Sequence, residues 1–291
     1  MTRAGTVAVV GKPNAGKSTL LNRIVGQKLS ITSPKPQSTR DRVVGIHTAG
    51  DVQMIISDTP GLLNPQYALQ HAMRASAIAA LGDADVVVYI TDAMQGPPPS
   101  LEVAANLERP PRGIVLTALN KVDTISAPQR DSLAAEIPRS FPISALTGEG
   151  VDSLLAEVAQ LLPESPFFYS ADDVGVQSLR FFASELIRET ALEQLEQEVP
   201  YSVACEIEEF REDRTPVYIR AVMYVERETQ KQILIGRQGA RIREIGSAAR
   251  KKIEELVSGK VYLDLWVKVL PNWRRKPRAM RRFGYRLPEG S

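Results

Sequence analysis

A single cysteine, Cys205, and two histidines, His47 and His71, are all that this chain of 291 residues offers to disulfide, thiolate or imidazole chemistry. One thiol cannot close an internal disulfide, so a reducing compartment is expected. Cys205 lies in an apolar, strand-like run and is expected to pack as a small hydrophobe. The two histidines lack metal-ligand spacing and read as structural. No apolar run approaches the ~20 residues a membrane span needs. Met1–Gly5 leads directly into an apolar segment without a basic–apolar leader, so the chain is expected in the cytoplasm. There is no internal repeat and no low-complexity tract.

What is present is an ordinary globular composition, 43% hydrophobic and 24% charged, long enough for about two domains. The net charge of +2 conceals a strong asymmetry: residues 1–170 carry −1, residues 171–216 carry −8 and residues 217–291 carry +11. A basic end beside an acidic stretch points to a polyanion-binding surface, or else to a solvated charged face.

In the first half, apolar runs alternate with helical patterns. Thr6–Val10, Val43–Thr48, Val52–Ser57, Val86–Thr91, Ile114–Leu119 and Phe141–Ser144 read as strands. Lys17–Val25, Tyr67–Leu81, Leu101–Leu107, Gln129–Glu136 and Val151–Leu161 read as helices. That alternation predicts an α/β unit, a mainly parallel sheet with helices on both faces and ligands at the carboxyl ends of its strands. Pro163–Pro166 breaks the pattern. Beyond it come an amphipathic helix over Gln177–Leu195, strands over Tyr201–Phe210 and Val217–Glu226, a short helical turn at Gln230–Ile235, a long helix to about Val257 and a strand over Lys260–Leu270. This second order predicts a small α+β unit.

Gly11-Lys12-Pro13-Asn14-Ala15-Gly16-Lys17-Ser18-Thr19 follows an apolar strand and opens a helix, the context of a phosphate-binding loop. Its glycines let backbone N–H groups turn toward phosphates, and the helix start adds its positive end. Lys17 is expected on the β- and γ-phosphates and Ser18 on Mg²⁺. Asp58-Thr59-Pro60-Gly61 ends a strand. Asp58 is placed to hold Mg²⁺ through its water shell, and the Gly61 N–H to sense the γ-phosphate. Asn120-Lys121-Val122-Asp123 ends the next strand but one. The Asp123 carboxylate accepts both N–H donors of a guanine edge, whereas adenine would leave that carboxylate unpaired. Asn120 is expected on the N7 side, the Lys121 stem over the ring, and the Ala145 N–H of Ser144-Ala145-Leu146 on guanine O6. GTP and GDP are therefore the expected nucleotides.

With these four motifs in this order, the chain resembles the translation-factor-like P-loop GTPases, and among them the Era family. The resemblance implies a switch segment within Ser33–Arg42, where Pro36-Gln37-Ser38-Thr39-Arg40-Asp41 is similar to the family's Q-T-T-R stretch and Thr39 is the Mg²⁺ ligand. It also implies a hydrophobic residue in place of the water-orienting glutamine of many GTPases. Leu62 and Leu63 stand there, so slow hydrolysis is expected, with Lys17, Thr39 and Gly61 nearest the chemistry. Asn14 matches an asparagine that supports potassium binding in related GTPases, which makes K⁺ a candidate second cation.

Ile233-Leu234-Ile235-Gly236-Arg237-Gln238-Gly239-Ala240-Arg241-Ile242 resembles the core of a KH domain of type II, whose G-x-x-G loop clamps about four nucleotides. Ile235, Gly236, Arg237, Gln238, Gly239 and Arg241 are the expected RNA contacts, extended by Arg243, Arg250, Lys251 and Lys252. The end of the chain, from Trp273 through Arg286, is basic with interleaved aromatics and could touch RNA or anionic lipid. Trp266 is expected in the core. The boundaries read as a GTPase domain over 1–166, a linker over 167–176, a KH domain over 177–273 and a basic tail over 274–291. The family resemblance implies a monomeric GTPase that binds small-subunit ribosomal RNA near its 3′ end and assists 30S assembly. The competing expectation is a signalling GTPase held weakly at the inner membrane face by its basic end.

Overall fold

The computed structural model describes residues 1–287. They fall into two compact units: Met1–Pro65 with Met73–Val176, and Gln66–Ala72 with the chain from Gln177 onward.

In the first unit, strands β1 (Arg3–Val10), β2 (Val43–Ala49), β3 (Val52–Asp58), β4 (Val86–Asp92), β5 (Ile114–Asn120) and β6 (Ser140–Pro142) form one sheet in the order β2-β3-β1-β4-β5-β6. Only β2 runs antiparallel to its neighbour; the other pairings are parallel. The near-continuous apolar runs of β1, β3 and β4 follow from burial on both faces. Helices α1 (Lys17–Val25), α2 (Ala68–Asp83), α3 (Leu101–Ala105), α4 (Ala127–Glu136) and α5 (Val151–Leu161) lie between or after the strands. One core cluster joins Ala8, Val10 and Val87 of the sheet to Ala77 and Leu81 of α2 and Leu101 of α3. β1 pairs with β3 on one side and β4 on the other, so connections diverge at its carboxyl end. That divergence leaves a crevice where ligands bind in such sheets.

Two sequence boundaries move. β6 is shorter than expected because Ile143 and Ser144 leave the sheet, although the Ile143 N–H still reaches the Leu119 carbonyl at 2.8 Å. Helix α4 starts earlier, at Ala127, because Ser126 and Gln129 close a capping box. After α5 the chain straps back along the sheet. Gln53, fully buried, accepts the N–H groups of Phe168 and Tyr169 at 2.8 and 3.0 Å and donates to the Tyr169 carbonyl at 3.0 Å. Further on, the Ile46 N–H bonds the Val174 carbonyl at 3.0 Å, so the strap covers the edge of β2.

The second unit holds helices α6 (Leu179–Gln194) and α7 (Val199–Ser202), strands β7 (Ala204–Arg211) and β8 (Val217–Val225), helices α8 (Glu228–Ile235) and α9 (Ala240–Leu256), strand β9 (Val261–Val269) and helix α10 (Pro277–Arg282). The sheet order is β7-β8-β9, antiparallel then parallel. Ala183, Ile187 and Ala191 of α6 and Ile245, Ala249 and Ile253 of α9 pack on Ile219, Ala221 and Met223 of the central strand. The expected strand from Tyr201 starts instead at Ala204, because Pro200 sits in the first turn of the short helix α7. Cys205 packs against this core, where burial pushes its thiol far above the ordinary range.

The expectation that Trp266 is a core residue is corrected: it is 56% exposed. Along β9, Leu263, Leu265, Val267 and Val269 pack against the core, and strict alternation sends Tyr262, Asp264, Trp266 and Lys268 to the other face. The buried tryptophan is Trp273, 0% exposed, whose Nε1 donates to the Ser202 carbonyl at 2.7 Å. The stretch read as a basic tail therefore follows directly on a core anchor and contains α10; its residues 288–291 lie outside the described residues.

Candidate functional site

The crevice at the carboxyl end of β1 is a cleft of about 440 Å³ lined by the loop before α1, the Ile31–Thr39 segment, Gly61, Asn120, Lys121, Asp123, Thr124, Ala145 and Leu146. Gly16 adopts φ 104°, and a Cβ there would meet Asn120 Nδ2 at 2.1 Å. Only glycine serves at this turn. Lys17 is buried, and its Nζ donates to the carbonyls of Lys12 and Gly11 at 2.8 and 3.2 Å, curling the loop around the amine. Burial pulls this amine down to about 8, against the opposing attraction of Asp58. An anion in the cleft would raise it again.

Ser18, Thr39 and Asp58 come from three separate elements and meet. The Ser18 hydroxyl donates to Asp58 Oδ2 at 2.7 Å and lies 2.9 Å from Thr39 Oγ1, which is itself 3.3 Å from the same carboxylate oxygen. Asp58 is completely buried, and its Oδ1 has no hydrogen-bond partner. Burial pushes this carboxyl up, opposed by Lys17 and by the Ser18 and Thr39 hydroxyls. An orphaned carboxylate oxygen beside two hydroxyls is a hard-oxygen donor set, which fits Mg²⁺. Beside it, Thr59 Oγ1 anchors to the Val9 carbonyl at 2.9 Å, and the Leu62 N–H bonds the Gly11 carbonyl at 2.9 Å. These bonds tie the Asp58–Leu62 turn, with Pro60 and Gly61 between, to the phosphate loop. The Leu62 side chain is buried in the core with Ala8, Val10 and Leu81, so it turns away from the cleft.

On the base side, Asn120 is 3% exposed and works as a tie. Its Nδ2 donates to the Ala15 carbonyl at 2.7 Å, and its Oδ1 accepts the Ala145 N–H at 2.8 Å. The N–H expected on guanine O6 is thus engaged by Asn120 in this structure. Val122 is buried among Ala93, Leu119 and Leu133 and holds the turn that exposes Asp123. Ser144 braces the neighbouring turn, its hydroxyl accepting the Thr147 N–H at 3.1 Å. Asn14, at φ 62°, donates from Nδ2 to the Pro34 carbonyl at 2.8 Å and so links the phosphate loop to the segment read as a switch. Lys12 is exposed, while Pro13 and Thr19 line the cleft.

Two residues escaped sequence reasoning. Asp92, at the end of β4, holds Lys121 Nζ at 2.7 Å and so fixes the stem expected over the base. Its only signal was a carboxylate at a strand's carboxyl end. Arg23 of α1 donates to the carbonyls of Ala145 (2.6 Å) and Leu146. No local pattern could have found that contact, 122 residues away.

In the second unit, Ile235 ends α8, Gly236 turns at φ 71°, and Gly239 at φ 77° starts α9. A Cβ on Gly236 would meet the Arg241 backbone nitrogen at 2.9 Å. Arg237, Gln238 and Arg241 are exposed around this loop. Ile242, Arg243, Gly246, Ser247 and Arg250 line a groove against Tyr262, Leu263 and Leu265 of β9. Lys252 does not extend that basic face. Its Nζ is held at 2.9 and 2.8 Å by Glu189 and Glu193 of α6.

A family model described as a 50S ribosome-binding GTPase matches residues 6–121, and a KH-domain model matches residues 198–274. GTPase Era of Azotobacter vinelandii is 46% identical over 292 residues, spanning 98% of this chain and 97% of the relative. GTPase Era of Ectopseudomonas mendocina is 44% identical, with 98% of each chain covered. A crystal structure of Era with MgGDPNP and nucleotides 1506–1542 of 16S ribosomal RNA superposes with a TM-score of 0.94 at 39% identity, covering 99% of this chain and all of that one. A crystal structure of a point variant of Aquifex aeolicus Era bound to GDP·AlF4⁻ gives 0.92 at 40%, covering 98% of this chain and all of that one. A phosphate loop, a buried magnesium-type oxygen cluster and a G-x-x-G unit in this order, matched at such identity from end to end, place the chain in the Era family of GTPases.

Proposed function

We propose that this chain is a GTP-hydrolysing switch that binds 16S-type ribosomal RNA near its 3′ end and assists assembly of the 30S subunit. One observation carries the nucleotide chemistry: Ser18, Thr39 and Asp58 converge beside the buried Lys17. Magnesium held by Ser18, Thr39 and the Asp58 carboxylate would neutralise phosphate charge as it develops. Lys17 releases the Gly11 and Lys12 carbonyls to meet the β- and γ-phosphates. Gly61 presents its N–H to the γ-phosphate, and Asp123 accepts the guanine N1–H and N2–H₂ donors. Asn120 holds the phosphate loop and the Ala145 turn at a fixed separation, and the Lys121 stem, pinned by Asp92, covers the base.

Hydrolysis is slow because the Leu62 side chain is committed to the core and an apolar group cannot orient the attacking water. Asn14 marks the potassium site; equal rates in sodium and potassium would refute that assignment. The working boundaries are 1–166, 167–176, 177–273 and 274–291. The Era complex with 16S ribosomal RNA supports the RNA assignment, and the loop from Ile235 to Arg241 is the clamp. The protein acts as a cytoplasmic monomer. No helix among the described residues is long and apolar enough to cross a membrane.

The test is paired. The purified chain should turn over GTP with magnesium and lose that activity in Lys17→Ala. It should also bind RNA carrying the 16S 3′ end in a salt-sensitive way and lose that binding in Gly236→Asp. Turnover without RNA binding, or tight binding to anionic vesicles in its place, contradicts the reading.

A further inference from the structure

The sheet of the second unit is covered on one face by α6 and α9. The other face carries an ordered group of aromatics with no assigned role. Tyr262 and Trp266 of β9 are 58% and 56% exposed. Tyr262 stacks on Tyr218 of β8, with ring centres 5.8 Å apart and planes within 12°. One carboxylate organises the group. Asp264 accepts from Trp266 Nε1 at 2.8 Å, from the Tyr218 hydroxyl at 3.1 Å and from Arg220 Nε at 3.0 Å. The Arg220 guanidinium lies 5.7 Å from the Tyr218 ring centre. A Trp side chain more than half exposed yet fixed by its indole N–H is a preset flat surface.

We propose that this face is a second RNA surface, a stacking platform for unpaired bases that emerge from the groove beside the G-x-x-G loop. The proposal rests on the RNA-binding reading above. Three observations select single-stranded RNA as the occupant. First, Tyr262 belongs to both surfaces: it borders the α9 groove and stacks on Tyr218, so a strand leaving the groove passes over the β9 edge onto the platform. Second, open sheet faces bearing aromatics stack two or three bases in other RNA-binding domains. Third, α10 lies over the Tyr224 end of the same sheet face, with Phe283 just beyond it 5.2 Å from the Tyr224 ring. Arg282 of that helix is taken up by Glu206 at 2.7 Å, whereas Arg278 and Arg281 stand exposed, with no acidic partner among the described residues. Those two cations match the phosphates between stacked bases. On the platform itself Arg220 is paired with Asp264 and Lys268 with Glu208, so its contribution is stacking with little salt dependence.

The experiment compares a four-nucleotide RNA, enough to fill the groove, with a 12-nucleotide RNA that extends past it, on the full chain. Trp266→Ala should weaken the long RNA about tenfold and leave the short one unchanged. Trp266→Phe, which keeps a ring, should recover most of the loss. Arg278→Gln with Arg281→Gln should lower the salt slope for the long RNA by about 0.7 per cation. Equal binding of the long RNA by the parent and Trp266→Ala overturns the proposal, and would leave the face to a protein partner. Equal weakening of both RNAs in Trp266→Ala also overturns it, since the effect would then lie in the groove or the fold. Failure of the unmodified chain to bind either RNA refutes the RNA reading itself.

Discussion

At the scale of single residues, the site is a set of short ties between distant segments, and each tie has a cost when cut. Asp123 is the base selector. Asp123→Asn should shift preference from GTP toward xanthosine triphosphate, read by competition against labelled nucleotide; unchanged preference would remove the base-recognition model. Leu62 invites the opposite substitution. Because its side chain is buried among Ala8, Val10 and Leu81, Leu62→Gln should bury an unpaired amide and cost about 1–3 kcal/mol of stability without raising turnover. A tenfold faster enzyme would show that the position faces the phosphate after all. Cys205 is a quieter check. Burial holds its thiol well above the ordinary range, so at pH 8 it should resist iodoacetamide in the folded chain and react only after denaturation. Motif residues were legible because phosphate and guanine chemistry dictate their types and spacing. Asp92 and Arg23 were not, since each acts on a loop brought close only by the folded sheet.

At the scale of elements, alternation was the most informative signal and also the one most easily misread. In β9 the run from Val261 to Val269 alternates cleanly, and that pattern alone puts Trp266 on the face with Tyr262 and Lys268. Its large apolar side chain suggests a core position, yet the register decides the face. Trp273 illustrates the reverse. Followed directly by Arg274 and Arg275, it heads the basic stretch read as an RNA or lipid contact, but its indole is buried and bonded to Ser202. Trp273→Ala should therefore cost about 3–5 kcal/mol, measured by denaturant unfolding of the full chain. A loss below about 1 kcal/mol would show that the segment is not anchored. Strand and helix order was readable, apart from the short helices α7 and α10, because hydrophobic period differs between the two. Ends such as those of α4 and β7 were not, because caps and proline placement set them.

At the scale of the whole molecule, the charge map and the motif order carried the division of labour between a nucleotide unit and a basic, G-x-x-G-bearing unit. The summed charge overstates the usable positive surface: Lys252, Arg274 and Arg282 are each spent on a carboxylate within their own unit. Salt dependence of RNA binding should accordingly track the exposed cations Arg237, Arg243 and Arg250 beside the groove, joined by Arg278 and Arg281 for an RNA long enough to reach them, rather than the full count of basic residues. The measurement closest to the central claim is calorimetric titration of the full chain with MgGTP and MgATP under identical conditions. A cleft built on Lys17, the Ser18–Thr39–Asp58 cluster and Asp123 predicts that GTP binds and that ATP binds at least about 100-fold more weakly. Equal affinity for the two nucleotides, or no binding of either, would contradict it.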